Sequence, residues 1–360
     1  MRYRRSALVG IAGAASLSLV LSGCGQSDAG GTEGSGVIGI SMPTRTSERW
    51  IRDGNDVVKN LHSGGYETNL VYGDNIPSRQ VSQINHLIDQ GVDALVIAAI
   101  DAKSLTDVLQ RASDANIPVI AYDRLILNTP NVDYYITFDN DQVGRLEARY
   151  IIDKLGLEEG KGPFNIELFA GSADDSNAKL FFNGSMDLLR PYLENKQLIV
   201  QSGQTEISQI TTPRWDGANA QKRMKSLLTT AYDSKKVDAV LSPYDGISLG
   251  VLAALKEDGY GSGSKPLPII TGQDAEKPSI KSIIDGQQTE TVFKDFRELA
   301  RKAANMVYEM VQHRQAKINT STDNGLKIVP TYELEPQSVD KTNYESLLIE
   351  SEFYTAADLR

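Results

Sequence analysis

The 360-residue sequence predicts an α/β fold made of two doubly wound, parallel-sheet lobes. Three observations carry this reading. Short, solidly apolar runs recur, such as Ala-Leu-Val-Ile-Ala-Ala-Ile at 94–100. Runs of that kind suit parallel strands buried on both faces, because a strand with one wet face alternates instead. The runs take turns with segments of helical period, which implies βαβ units and a parallel sheet. The alternation stops after 138 and restarts, so it describes two similar lobes of about five βα units each, as the length also suggests.

In chain order, 37–42 is a compact apolar strand. Over 48–61, Trp50, Ile51, Val57, Val58 and Leu61 fall near helical spacing. Strand 69–72, helix 78–90, strand 94–100, helix 102–115 and strand 117–122 follow, and strand 134–138 ends the first run. The second run reads as helix 141–155, strand 164–169, helix 176–193, strand 198–201, helix 217–231, strand 237–241, helix 247–257 and strand 267–271. The remaining residues are too few for a third domain. Strand 289–293 and helix 298–312 are expected to complete the first lobe. Strand 326–334 and helix 343–349 are expected to return to the second.

Ahead of the lobes, Met-Arg-Tyr-Arg-Arg precedes an apolar stretch from Ala7 to Leu21, and Leu-Ser-Gly-Cys ends at Cys24, the sole cysteine. A basic start, a short apolar core and small residues before a cut make an export signal, and the apolar core is too short for a stable membrane span. The tetrad resembles the lipobox of bacterial lipoproteins. That resemblance implies a signal over 1–23, lipid on the Cys24 sulfur, and a membrane anchor. Residues 24–36, rich in Gly and Ser, read as a flexible spacer. Removing the signal, with its three arginines and no acids, moves the formal charge from −10 to −13. An acidic chain argues against nucleic-acid binding and against a polybasic membrane patch.

Ligands of open parallel sheets sit beyond the carboxyl ends of strands. Those ends carry Arg49 and Trp50, Asp123 and Arg124, Asn140, Asp175 and Asn177, Tyr244 and Asp245, Gln273 and Asp274, and Lys294. Adjacent sugar hydroxyls need paired donors and acceptors, which planar two-atom polar groups supply. The C–H faces of a sugar pack on aromatic rings, and Trp50 and Trp215 both stand beside an arginine at a loop-to-helix junction. Any one Asp or Asn at a strand end also serves as a helix cap or turn former. The recurrence at successive strand ends carries the weight.

The stretches 40–50 (Ile-Ser-Met-Pro-Thr-Arg-Thr-Ser-Glu-Arg-Trp), 119–126, 137–144, 174–178, 214–216, 241–246, 271–276 (Thr-Gly-Gln-Asp-Ala-Glu) and 292–295 (Val-Phe-Lys-Asp) resemble substrate-binding components of bacterial sugar ABC importers. The likeness is to the multiple-monosaccharide branch, near the xylose- and galactose-binding proteins. It covers nearly all of 37–355. It implies the type I periplasmic binding fold, with a three-segment hinge between an N-terminal lobe of 37–139 plus 291–328 and a C-terminal lobe of 140–290 plus 329–360. It also implies a monosaccharide ligand, a permease partner and a monomer. The contacts it implies are Arg49, Trp50, Asp123, Arg124, Asn140, Asp175, Asn177, Trp215, Asp245, Asp274 and Lys294, with Asp175 and Gln273 able to stand one layer back. Arg49, Arg124 and Lys294 balance Asp123, Asp245 and Asp274, so a neutral aldose is expected, unless Arg214 turns inward to meet an acidic sugar.

Other chemistries lack their signals. His62, His86 and His313 have no metal-ligand spacing, no Walker run is present, and no Gly-x-Gly-x-x-Gly follows a strand. No cofactor or metal is therefore expected, and no catalytic residue. A glycosidase would need two carboxyl groups flanking a bond, whereas paired Asp, Arg, Asn and Lys suit holding a ligand unchanged. A sensory role, presenting the bound sugar to a chemoreceptor or sensor kinase, is the alternative to transport.

Overall fold

The computed structural model describes residues 36–360. The export signal, Cys24 and the spacer up to residue 35 lie outside the described residues. The first lobe runs β1 (Val37–Met42), α1 (Glu48–Ser63), β2 (Glu67–Tyr72), α2 (Pro77–Asp89), β3 (Ala94–Ile97), α3 (Thr106–Asp114), β4 (Val119–Tyr122) and β5 (Tyr134–Phe138). The second runs α4 (Asn140–Leu155), β6 (Phe164–Leu168), α5 (Ser176–Glu194), β7 (Leu198–Ile199), α6 (Ile207–Ile210), α7 (Gly217–Thr230), β8 (Ala239–Leu241), α8 (Asp245–Glu257), β9 (Ile269–Ile270), α9 (Lys277–Ile284) and β10 (Glu290–Phe293). α10 (Phe296–Val311), β11 (Thr320–Asp323), β12 (Ile328–Leu334) and β13 (Gln337–Asp340) complete the order.

The first sheet has the order β11-β12-β5-β4-β3-β1-β2 and is parallel except for the edge strand β11. The second is parallel in the order β7-β6-β8-β9. Each sheet therefore reverses its winding beside its first strand, next to β1 in one lobe and β6 in the other. In open α/β sheets, that switch point opens a crevice at the carboxyl ends of the strands. The apolar strands bury both faces. In the first lobe, Val57, Leu61, Leu299 and Val307 of α1 and α10 pack on one side of the sheet. Ile84, Leu87, Val108 and Leu109 of α2 and α3 pack on the other. The second lobe repeats this with α7 and α8 on one face and α4 and α5 on the other.

Two segments exchange the lobes expected for them. β10 continues the second sheet alongside β9, through Thr289 N–H to Ile270 O at 3.1 Å and Val292 N–H to Gly272 O at 2.8 Å, and pairs antiparallel with β13. β12 instead joins the first sheet, parallel to β5. Residues 291–293 thus belong to the second lobe and 329–334 to the first. The physical reason is that a short buried strand carries no mark of its sheet; pairing across long sequence separation decides it. Helix α10 does lie on the first lobe, as expected. The chain crosses between lobes after β5, after β10 and after β12.

Candidate functional site

The crevice between the sheets is a cleft of about 480 Å³, and the carboxyl ends of β1, β4, β6, β8, β9 and β10 all feed residues into its lining. Its floor is an ion-pair cluster. Arg49, on the first turn of α1, is only 4% exposed. Its Nε donates to Asp53 Oδ2 at 3.0 Å, its Nη1 to Asp274 Oδ1 at 3.2 Å, and its Nη2 to Asp123. Lys294 Nζ lies 3.0 Å from Asp274 Oδ1 and 3.9 Å from Asp123 Oδ2. Arg124 Nε pairs with Asp175 Oδ2 at 2.8 Å. Burial opposes the charge of Asp123, yet Arg49 and Lys294 together hold its carboxyl below the usual range. Burial pushes the deeper Asp53 up to about 7.

Asp175 has two jobs. Its Oδ1 caps α5 by accepting Asn177 N–H at 2.9 Å, while its Oδ2 also accepts Trp215 Nε1–H at 3.1 Å. Asn177 Nδ2 donates across the lobes to Asp123 O at 3.0 Å. The buried Oδ1 of Asn177 and Oε1 of Gln273 have no hydrogen-bond partner. Buried acceptors without donors cost free energy unless something supplies a proton to them, and a hydroxyl-rich ligand would.

Two tryptophans give the cleft its apolar surface. Trp50 lies under the guanidinium groups of Arg49 and Arg124, 4.6 and 5.1 Å from its ring. Trp215 stands edge-on to Phe181 and Tyr244, with centroids 6.2 and 6.0 Å away. Its ring crosses Gly171, where any Cβ would sit 2.0 Å from the indole; only glycine leaves it that room.

Of the residues expected from the sequence, Arg49, Trp50, Asp123, Arg124, Asp175, Asn177, Trp215, Asp274 and Lys294 line this one cleft. Asn140 and Asp245 do not. Asn140 Nδ2 is bound to Thr137 Oγ1 at 3.1 Å at the start of α4. Asp245 is fully buried, and its oxygens accept from Gln288 Nε2 at 2.9 Å and Glu276 N–H at 2.7 Å. Both positions follow a strand end, but helix geometry turns their side chains into the lobe interior. Arg214 reaches the cleft rim, yet its side chain is 63% exposed and faces Asp216.

The lining also includes Tyr244, which follows a strand end, and Phe181 and Glu276, which were not expected. Phe181 stands one helical turn beyond Asn177 on the same face of α5, a signal that i, i+4 spacing could have given. Glu276 Oε1 accepts from Tyr244 Oη–H at 2.8 Å and, across the cleft, from Ser47 Oγ–H at 3.1 Å. Burial pushes this carboxyl up to about 7. The lobes touch elsewhere too, through Ala102 N–H to Asp174 O at 3.0 Å and Ser176 Oγ–H to Leu125 O at 3.1 Å. Among the described residues there is no cluster of His, Cys, Asp and Glu able to hold a metal ion, and no helix is long and apolar enough to cross a membrane.

The sequence profile of the periplasmic binding protein domain matches residues 38–315, most of the described chain. The chain belongs to the periplasmic binding protein family. Among its relatives, the multiple sugar-binding periplasmic receptor ChvE of Rhizobium radiobacter is 54% identical over 90% of this chain and 92% of its own. The D-xylose-binding periplasmic protein of Escherichia coli is 35% identical over 89% and 92%. Among solved structures, an ABC transporter solute-binding protein from Clostridium phytofermentans with bound β-D-glucose is similar at 43% identity. Its TM-score is 0.87, with 90% of this chain and all of that one covered. This periplasmic binding protein thus shares its fold with a glucose-bound solute-binding protein and most of its length with relatives whose names record sugar ligands.

Proposed function

We propose that this periplasmic binding protein captures one neutral monosaccharide between its lobes and delivers it to the permease of an ABC importer. The observation that carries the reading is the make-up of the cleft floor. Among the residues that line the cleft, three cations, Arg49, Arg124 and Lys294, face the three carboxylates that pair with them, Asp123, Asp175 and Asp274, across 2.8–3.2 Å or closer, while Asp53, which also pairs with Arg49, lies beneath the lining with its carboxyl pushed up to about 7 by burial. Such pairs present donors and acceptors side by side for vicinal hydroxyls and add no net charge. Asp175 takes the place expected of Asp245, so the balance of the lining pairs stands. Arg214, turned to solvent, supplies no counter-charge for a sugar acid. Asp123, Asp175 and Asp274 are each committed to a cation, and Glu276, which accepts from Tyr244 and Ser47, is not matched by a second uncommitted carboxyl of the kind glycoside hydrolysis requires. The similar proteins' recorded ligands, β-D-glucose and D-xylose among them, support an aldose.

A thermal-shift screen tests this, since a ligand that binds only the folded state raises the melting temperature. Neutral pyranoses are expected to raise it, and the matching uronic acids to raise it less, because an unpaired carboxylate in the cleft is costly. A larger shift with the uronic acid would overturn the charge argument. No shift with any monosaccharide would overturn the ligand class.

Export and a lipid tether through Cys24 complete the proposal, supported by the lipobox-like Leu-Ser-Gly-Cys and the Gly/Ser-rich spacer. Cys24→Ser is expected to release soluble protein or to leave an uncleaved precursor. Membrane retention of a correctly cleaved Cys24→Ser protein would contradict the anchor.

A further inference from the structure

The turn that carries Asp274 into the cleft has an unusual backbone. Asp274 and Ala275 both lie in the left-handed region, with φ of 89° and 49°, though neither is glycine. Such a conformation persists only where its surroundings over-determine it. Here they do. Asp274 N–H donates to Val292 O at 2.9 Å, and Ala275 N–H to Thr291 Oγ1 at 3.2 Å. The Ala275 carbonyl accepts the hydroxyl of Tyr354, from the C-terminal segment, at 3.0 Å. Glu276 N–H donates to Asp245 Oδ2 at 2.7 Å. Asp245 is itself fixed by Gln288 and by a hydrogen bond with Thr291. Space for this carboxyl exists because residue 272 is glycine: a Cβ there would lie 2.3 Å from Asp245 Oδ1.

The C-terminal segment also reaches the first lobe. Arg52 of α1 donates to Phe353 O at 3.2 Å, and its guanidinium lies over the Phe353 and Tyr354 rings at 4.4 and 5.0 Å. One turn before it on α1, Arg49 grips the Asp274 side chain. Helix α1 therefore holds both the turn and the segment that braces it.

We propose that Asp245 is a positioning residue for ligand binding, which with Tyr354 clamps the 274–276 turn so that Gln273, Asp274 and Glu276 are presented to the cleft. The proposal rests on the sugar-binding reading above. Asp245 acts as a hydrogen-bond acceptor for main chain and touches no ligand. Its carboxyl is placed for that work: Oδ2 accepts Glu276 N–H and Oδ1 accepts Gln288 Nε2–H, while burial, then the neighbouring Glu276, pushes it well above the usual carboxylate range. Asparagine at 245 keeps an oxygen for Glu276 N–H; alanine keeps nothing.

The test uses the full chain in wild-type, Asp245→Asn, Asp245→Ala and Tyr354→Phe forms. Hydrogen–deuterium exchange over 273–277 is measured without ligand, and D-glucose affinity by calorimetry. Exchange should rise in Asp245→Ala and Tyr354→Phe and stay near wild type in Asp245→Asn. Affinity should follow it, falling about tenfold or more in Asp245→Ala, the loss of a buried hydrogen bond with the group it satisfied, and within about threefold of wild type in Asp245→Asn. An Asp245→Asn protein that binds as poorly as Asp245→Ala with unchanged exchange would overturn the proposal, because the carboxylate would then act on the ligand. If Asp245→Ala does not fold, Tyr354→Phe decides: wild-type exchange and affinity in that variant overturn the clamp. A wild-type protein that binds no monosaccharide sinks the sugar reading, while the exchange data still judge the clamp.

Discussion

Asp123 is where the cations of the cleft floor converge. It follows β4 with a φ of 61°, is 2% exposed, and meets Arg49, Lys294 and Asn177 at once. A hydrogen bond to a charged group contributes about 1.5–3 kcal/mol. Asp123→Ala is therefore expected to weaken aldose binding by about 10- to 100-fold or more. Near wild-type affinity by calorimetry, with the fold intact, would remove Asp123 from the site. Nine of the eleven residues expected from the sequence meet in one cleft, because a strand end in a parallel sheet fixes where the next few side chains go. Asn140 and Asp245 obey the same positional rule and still point elsewhere. Residue order cannot show which way the first turn of a helix faces, and Asp245 is the second residue after Pro243 in a turn whose direction only the packed lobe decides. Glu276 was illegible for a related reason: its role arises from a contact between lobes, with Ser47.

At the scale of elements, β1 and β5 have the bounds that their apolar runs suggest, whereas β7 and β9 shrink to two residues each. Hydrophobic period reports burial, not hydrogen bonding, so a run can be core without pairing along its length. The same blindness exchanged β10 and β12 between lobes. β10 holds a fully buried acid, whose ionised form burial penalises. Glu290 accepts from Ser338 Oγ at 2.9 Å, and its burial pushes it from an ordinary 4.5 up to about 8. Glu147, facing it from α4, is driven up by burial first and then by Glu290. Between those two values the folded state keeps a proton that the unfolded chain has lost, so stability must fall as pH rises through the window. Melting temperature is expected to decline from about pH 5 to about pH 8, and Glu290→Gln to flatten that decline. A slope unchanged by the substitution would mean that Glu290 is not its source.

For the whole molecule, the cleft lining divides between lobes: Arg49, Trp50, Asp123 and Arg124 come from the first, and Asp175, Asn177, Trp215 and Asp274 from the second. The three crossings, after β5, β10 and β12, are the points about which the lobes can turn. A ligand favours the closed arrangement only to the extent that it gains contacts there that it lacks when the lobes part. A sugar touching both halves of the lining gains them, and the direct bonds Ser47–Glu276 and Asn177–Asp123 add to the closed state. One sugar is then held by two lobes that close on it, the hinge type of motion. Small-angle X-ray scattering without and with a saturating aldose, its binding established by calorimetry on the same sample, tests this most directly. The radius of gyration is predicted to fall when the sugar is bound; an unchanged radius at full occupancy would mean that the lobes do not close on it.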